Sequence, residues 1–358
     1  MLVCDTDTPT ILTIRRPDDF HTHFRDDEML KVVAPYTARQ FSRAIVMPNL
    51  RPPVRNADDA IAYRKRIMSA LPNYPGFEPL MTLYLTDDTT SEMIHEAHAS
   101  GLVKACKLYP AGATTNSSNG VTSVEKITEA LHAMQEVGMV LCVHGESTED
   151  GIEIFDREER FVRQTLPILL QRFPTLKIVL EHVTTAEAVE VVKSTPGNRL
   201  AATITAHHLL YSVSSIFEGG KIRPAMFCLP ILKRETHRQA LLRAIAEDTD
   251  GKFFAGTDSA PHRQSAKFCP AGCAGIFSAH AAIELYAEAF EQAAVLHKLE
   301  AFVSESGARF YGLPLNKRSI KLVKSRQAVP SKISVPGSDP IVPLRAGEYV
   351  QWMVTEAP

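Results

Sequence analysis

Two histidines, His21 and His23, stand either side of one threonine in DDFHTHFRD, residues 18–26. On a strand, residues i and i+2 point to the same face, so both imidazoles can aim a ring nitrogen at one point. Imidazole suits zinc, at about 2.0–2.1 Å. Taken alone, HTH reads equally well as two polar residues at a strand end. Three further ligand types end other strand-like runs: His144 after MVLCV, His182 after KIVLE and Asp258 after KFFAGT. Four imidazoles and a carboxylate exceed the three protein ligands of one catalytic zinc, which points to two metals.

Lys107, in VKACKLYP, sits uneasily with such a cluster. An ammonium beside two dications is repelled, because like charges disfavour the charged form. A neutral lysine amine can react with carbon dioxide to give a carbamate, an anion whose two oxygens can bridge two metals. Lys107 can equally point away into solvent, or pair with an acid. Its spacing leaves all three open.

These residues need a frame that brings them together. Strand-like runs recur along the chain: DDFHTHF, RAIVMPN, PLMTLYLT, VKACKLYP, MVLCVHGE, KIVLEHV, LAATITAHH and KFFAGTDSA. Segments of helical periodicity lie between them. NADDAIAYRKRIMSAL and TSVEKITEALHAMQEVG are the clearest, the second ending in a glycine that suits a helix C-terminus. EERFVRQTLPILLQRFP and TTAEAVEVVKS follow. Strand and helix in eightfold alternation predict an α/β fold, a (β/α)8 TIM barrel with short N- and C-terminal appendages. In that fold the C-terminal strand ends converge on one mouth, where His21, His23, Asn49, Lys107, His144, His182 and Asp258 would meet. We expect one domain over the 358 residues, with a barrel core at about 13–312 and an appendage at about 313–358. The sole tryptophan, Trp352, is expected to anchor that proline-rich appendage.

Charged residues make up 22% of the chain and the formal net charge is −2, so nothing suggests nucleic acid or an anionic membrane as partner. The N-terminus lacks a signal-peptide pattern, and no apolar run reaches a membrane span. Three of six cysteines (Cys106, Cys142, Cys228) sit in apolar runs as buried thiols; with Cys4, Cys269 and Cys273 they suggest a reducing cytoplasm. CPAGC matches neither common metal nor redox spacing.

The chain resembles the dihydroorotases of the shorter bacterial type, in the amidohydrolase superfamily. The blocks that carry the resemblance are RRPDDFHTHFRD, VMPNLRPPV, KLYPAGATTNSSNGV, VHGE, LEHVTT, TITAHHL, CLPILKR and GTDSAPH, in that order. It implies that His21, His23, a carboxylated Lys107 and Asp258 hold one Zn2+. Lys107, His144 and His182 would hold the other, with a hydroxide bridging both. It also implies the reversible cyclisation of N-carbamoyl-L-aspartate (carbamoyl aspartate) to L-dihydroorotate in pyrimidine biosynthesis, and a homodimer. Two zincs less the carbamate, Asp258 and hydroxide leave about one positive charge, which favours an anionic substrate. Asp258 would serve as general base and then acid.

The resemblance assigns Arg25, Asn49 and His262 to the substrate carboxylate and nearby ring atoms. Without it, Arg25 in RDD reads as a surface ion pair. CLPILK contributes Leu229 through its backbone, and the small Ala274 and Gly275 would let backbone approach substrate. The polar loop AGATTNSSNGV (residues 111–121) reads as mobile, and the family uses it as a lid whose Thr114 and Thr115 bond to substrate. His207 and His208 are expected at the end of the seventh barrel strand, where the bland reading is packing and the alternative is that one of them supports the metal ligands. His95, His98, His132, His237, His280 and His297 read as helix packing or surface residues. Two rivals remain: a cyclic-amide hydrolase acting on hydantoins or allantoin, and a catalytically silent interaction protein on the same barrel.

Overall fold

The computed structural model describes residues 10–356, so Cys4 lies outside the described residues. After β1 (Ile11–Arg15) come the barrel strands. They are β2 (Asp18–Thr22), β3 (Arg43–Val46), β4 (Glu78–Tyr84), β5 (Val103–Leu108), β6 (Val140–Val143), β7 (Ile178–Leu180), β8 (Leu200–Ile204) and β9 (Phe253–Ala255). Neighbours in sequence are neighbours in the sheet, and every pair is parallel. The ring closes where Thr22 bridges Ser259 in parallel. There the Asp258 N–H donates to the His21 carbonyl at 2.8 Å. All eight expected strands are present, and nearly every residue in them is buried, as strands covered on both faces require.

The helices alternate as the sequence predicts: α1 (Asp27–Gln40), α2 (Ala57–Ser69), α3 (Ser91–Ala99), α4 (Thr128–Val137), α5 (Arg157–Arg172) and α6 (Ala186–Ser194). Local chemistry sets their ends. Asn56 accepts from the Asp59 N–H at the start of α2, and Thr185 accepts from the Ala188 N–H at the start of α6. Gly138 closes α4 with φ 69°, a left-handed conformation that glycine adopts without a Cβ penalty. The chain then forms α7 (Ala206–Leu210), α8 (Glu235–Glu247), α9 (Gln264–Lys267), α10 (Ala282–Gln292) and α11 (Ser306–Phe310).

The barrel interior has two layers. Below, Phe20, Ile45, Leu80, Ala105, Val140, Cys142, Val179, Ala201 and Phe254 form an apolar plug, sealed by Ala308 and Phe310 of α11. Two residues further along four of the strands the same face turns polar: Ala105 leads to Lys107, Cys142 to His144, Val179 to Glu181 and Ala201 to Thr203. The period-2 geometry thus lifts the site residues directly above the core.

Beyond the barrel, β10 (Ser319–Ala328) and β13 (Tyr349–Glu356) form an antiparallel sheet with β1, while β11 (Ile333–Val335) pairs with β12 (Ser338–Ile341). The two ends of the chain therefore share one sheet, which the sequence did not signal. Trp352 on β13 is fully buried and donates from Nε1 to Glu291 of α10 at 3.1 Å.

Candidate active site

Four imidazole rings run across the mouth of the barrel. His23 and His21 have centroids 5.3 Å apart, His21 and His182 5.1 Å, and His182 and His144 4.8 Å. The His23 Nε2 lies 2.9 Å from Asp258 Oδ1, and the His21 Nε2 lies 3.4 Å from the same oxygen. The expected convergence is present, but its cause differs from simple strand alternation. β2 ends at Thr22, and the β2–β3 register shifts between Asp19 and Thr22. Such an irregularity re-aims side chains, so the consecutive residues Phe20 and His21 both reach the interior. His182 (φ 41°), Asp258 (φ 43°) and Arg25 (φ 60°) adopt left-handed backbone conformations that non-glycine residues rarely take. Strain of this kind gathers at functional sites.

Buried acids orient the rings. Glu181 accepts from His21 Nδ1 at 2.8 Å and from Thr203 Oγ1 at 2.6 Å. That leaves His21 Nε2 facing the mouth. Glu146 accepts from His144 Nε2 at 2.7 Å, which leaves Nδ1 as the free ligand atom of His144. Asn49 Oδ1 accepts from His23 Nδ1 at 2.8 Å. In these three rings one acceptor each fixes which nitrogen is available to a metal. Burial alone would raise the pKa of Asp258, but hydrogen bonds from His21 and His23 outweigh it and hold the carboxyl well below the usual range. Asp19 ties the barrel seam beneath, accepting from the Thr257 N–H at 2.9 Å and Thr257 Oγ1 at 2.7 Å. Gly256 sits at this seam because a Cβ there would come within 2.7 Å of Thr203 and 2.9 Å of His21.

Lys107 is fully buried beneath the rings, and its Nζ has no hydrogen-bond partner. The solvent-facing alternative is thereby excluded, and no carboxylate pairs with it among the described residues. Burial lowers its pKa and favours the neutral amine. The His182 Nδ1 is likewise buried without a partner. Orphaned donors, four imidazoles and a carboxylate around one point fit a bound cation better than any set of internal hydrogen bonds. The ligand atoms of His21, His182 and Asp258 already lie within 4.8 Å of one another.

One cavity at the mouth is lined by His21, His23, Arg25, Asn49, Thr114, Thr115, His144, His182, Leu229, Asp258, Ala274 and Gly275, together with Tyr109 and Ala260, which sequence reasoning missed. Lys107 lies under it. His262 stands behind Arg25 and Ala274. The cavity is small, about 20 Å³, because the 111–121 loop is folded over it. Thr115 Oγ1 donates across the mouth to the Ala274 carbonyl at 3.3 Å, and the Asn116 amide donates to the Asn49 carbonyl at 3.1 Å. A roomier cavity of 390 Å³ opens at the opposite end of β8 and β9 but contains none of these residues.

Arg25 is no surface ion pair. Its Nε donates to the Pro261 carbonyl at 3.1 Å, and Tyr63 holds the Arg25 carbonyl at 2.7 Å. Burial, and next the nearby Arg25 and Lys267 charges, lower the pKa of His262 to about 2, so its ring is neutral. Its Nε2 lies 2.8 Å from the Ala274 carbonyl and 3.2 Å from Arg25 Nη2. A single ring nitrogen cannot donate to one and accept from the other. The shorter contact assigns the proton to Nε2, which leaves the Arg25 Nη groups free for a ligand. Gly275 has φ 145°, and a Cβ there would fall 2.7 Å from the Ala260 carbonyl and 2.8 Å from His262 Nε2.

His207 and His208 are not at a strand end. β8 stops at Ile204 and the pair lies in α7. Thr205 begins a helix because its side chain caps the His208 N–H, and neither ring lines the cavity. His208 is satisfied by Thr205 Oγ1 at 2.8 Å and the Pro230 carbonyl at 3.1 Å. Also missed from sequence were Glu181, Glu146 and Glu158. The last accepts from both the N–H and the hydroxyl of Thr184 and of Thr185, pinning the loop that follows His182.

A donor set of this kind at the C-terminal mouth of a closed parallel barrel defines a metal-dependent hydrolase, and the chain belongs to the Amidohydrolase family, whose model matches residues 14–322. Within that family its relatives are narrower. It is 56% identical over 343 residues to the dihydroorotase of Aromatoleum aromaticum, covering 96% of this chain and 99% of that protein. The dihydroorotase of Neisseria meningitidis serogroup B is 56% identical over 343 residues, with 96% and 98% covered. The dihydroorotase of Saccharomyces cerevisiae, solved in complex with 5-fluoroorotic acid, superposes with a TM-score of 0.89 at 34% identity, covering 97% of this chain and 99% of that one. The chain is thus one of the dihydroorotases. The L-hydantoinase of Arthrobacter aurescens superposes with a TM-score of 0.76 at 14% identity over 96% of this chain and 84% of that one, which shows a shared fold alone. Among the described residues no helix is long and apolar enough to cross a membrane.

Proposed function

We propose that the chain catalyses the reversible cyclisation of N-carbamoyl-L-aspartate to L-dihydroorotate with two zinc ions. The observation that carries the metal part is the buried, partnerless Lys107 amine beneath four imidazoles and Asp258. A neutral Nζ attacks carbon dioxide, loses a proton and becomes a carbamate. His21, His23, Asp258 and one carbamate oxygen would hold one ion; His144, His182 and the other oxygen would hold the second. When bound, the pair supplies polarisation of the ring carbonyl and a water acidic enough to ionise near neutral pH.

The chain's own residues do the rest. Arg25 presents its guanidinium to the substrate carboxylate, where a bidentate fork fits. The Asn49 amide, whose oxygen is taken by His23, keeps its Nδ2 for the same group; its contact to the Thr115 carbonyl is only 3.4 Å. The Leu229 and Ala274–Gly275 backbones form the opposite wall, beside the neutral His262. Thr114 and Thr115 close over the substrate and exclude water. In ring opening, Asp258 takes the proton of the attacking water and passes it to the departing ring nitrogen. Cyclisation reverses this and turns a dianion into a monoanion, so it consumes a proton and gains ground as pH falls. We further propose that the chain works as a single barrel domain, as a homodimer and in the cytoplasm.

The test is dihydroorotate ring opening, followed by ultraviolet absorbance, for the zinc enzyme, its chelated form and Lys107→Ala. Hydantoin and allantoin serve as controls. Turnover of dihydroorotate that is lost on chelation and in the lysine variant supports the whole reading. Zinc-loaded enzyme that ignores dihydroorotate would refute it; activity on a control would then favour that substrate, and silence on all three a catalytically inert barrel.

A further inference from the structure

Lys267 ends α9, outside the ring of residues that face the cavity. It is 6% exposed. Its Nζ donates to three backbone carbonyls: Phe227, Cys273 at 3.0 Å and Gly275 at 2.6 Å. An ammonium has three N–H groups, so its donors and these acceptors match one for one. Among the described residues no carboxylate pairs with it. A buried charge is costly unless it is well paired, and here the pairing is backbone dipoles alone.

Those three carbonyls belong to two segments remote in sequence. Phe227 lies two residues before Leu229. Cys273 and Gly275 flank Ala274. Leu229, Ala274 and Gly275 line the cavity on one side. Besides the lysine, the Gly275 N–H donates to the Phe227 carbonyl at 3.0 Å, so the same carbonyl accepts from both. The Lys267 ammonium also lies 5.7 Å from the Phe227 ring centroid.

We infer that Lys267 is a positioning residue for the reaction: from behind, its ammonium clamps the 227–229 and 273–275 segments into one substrate-binding wall and adds positive potential for an anionic substrate. This rests on the substrate reading above. By drawing the Phe227, Cys273 and Gly275 carbonyls backwards, the clamp fixes the peptide planes that follow them. Their forward-facing groups then meet the substrate ring at a set spacing. Burial pushes the Lys267 pKa down only to about 8, so the group is charged at neutral pH. Buried Lys252 also donates to three backbone carbonyls, but those of Val192, Lys193 and Thr195 belong to one segment, whereas Lys267 ties together two segments that both line the cavity.

The experiment compares Lys267→Met, Lys267→Gln and Lys267→Arg with the wild type, all zinc-loaded and checked for zinc content. For dihydroorotate, KM and kcat are measured, together with the inhibition constant of 5-fluoroorotate and the thermal midpoint. The methionine variant is expected to raise KM and the inhibition constant together by ~10-fold or more. Its kcat should stay within roughly threefold and its zinc content unchanged. Arginine, which keeps the charge, should restore most of the affinity, and glutamine part of it. Should the methionine variant fail to fold, the glutamine variant carries the comparison. KM and inhibition constant within twofold of wild type, with only the thermal midpoint moved, would overturn the clamp while leaving the dihydroorotate reading intact. A wild-type enzyme inactive on dihydroorotate would overturn that reading, and the clamp with it.

Discussion

Glu181 and Glu146 settle which nitrogen of His21 and His144 is offered to a metal. A glutamine in either place keeps the size but loses the charge that polarises the ring. Glu181→Gln and Glu146→Gln should each weaken zinc retention by ~10–100-fold, read by competition with a chromogenic chelator. Arg25 offers a sharper test of substrate recognition. Arg25→Lys keeps the charge but not the planar fork, so KM for dihydroorotate should rise ~10-fold or more while zinc content holds. The proposed ligands were legible as candidates in the sequence, because histidine and aspartate at the ends of successive strands are costly there unless used. The glutamates were not. An acid beside a histidine, as in VHGE or LEH, is ordinary on a protein surface, and only the fold reveals that both are buried. Lys267 was beyond reach altogether, since its partners are main-chain carbonyls and any sequence supplies those.

Among the elements, the 111–121 loop is held at its far end by Asp87. That carboxylate accepts from the Thr122 N–H at 2.8 Å, Thr122 Oγ1 at 2.7 Å and Lys126 Nζ at 2.8 Å. The burial penalty is the largest single effect and opposes the shift, but the Lys126 and Thr122 interactions together outweigh it and bring the Asp87 pKa down to about 2. A lowered carboxylate pKa means the anchor is fully present above the ordinary carboxylate range and fades as pH falls through about 2. At neutral pH it is intact. Asp87→Ala should therefore raise KM by roughly threefold, with little change in zinc content, because the proposed closure of the loop would lose three exposed bonds whose net worth is on the order of that of one hydrogen bond. An unchanged KM would show that the loop's other contacts, to Asn49 and Tyr84, suffice. Strands and helices were readable from apolar runs and caps. The inward turns of His21 and His182 were not, because they arise from a register shift and a left-handed residue that leave no periodic trace.

For the molecule as a whole, two ions held by six side chains, as proposed, would couple metal to stability. Chelation should lower the thermal midpoint by ~5 °C or more, measured by calorimetry. Under the proposed carbamate, zinc added back should restore activity faster with bicarbonate than in solution freed of carbon dioxide, since Lys107 would be carboxylated first. Equal rates would argue against the carbamate. The barrel itself was legible because eight strand–helix units alternate in order. The sheet that joins β1 to β10 and β13 was not, because pairing between chain ends depends on where the barrel places them.

The seam between β2 and β9 has a consequence for how the protein is made. His23 and Asp258 meet across it at 2.9 Å, although 235 residues separate them. A chain still leaving the ribosome holds its first histidines long before the aspartate exists. Zinc capture by that pair, as proposed, would wait until the last barrel strand has been synthesised and docked, so only a centre holding both ions would certify a finished barrel. Truncated or stalled chains should lack the ion that needs Asp258, and the rise from one ion to two in a pulse-labelled population would time the closing of the ring.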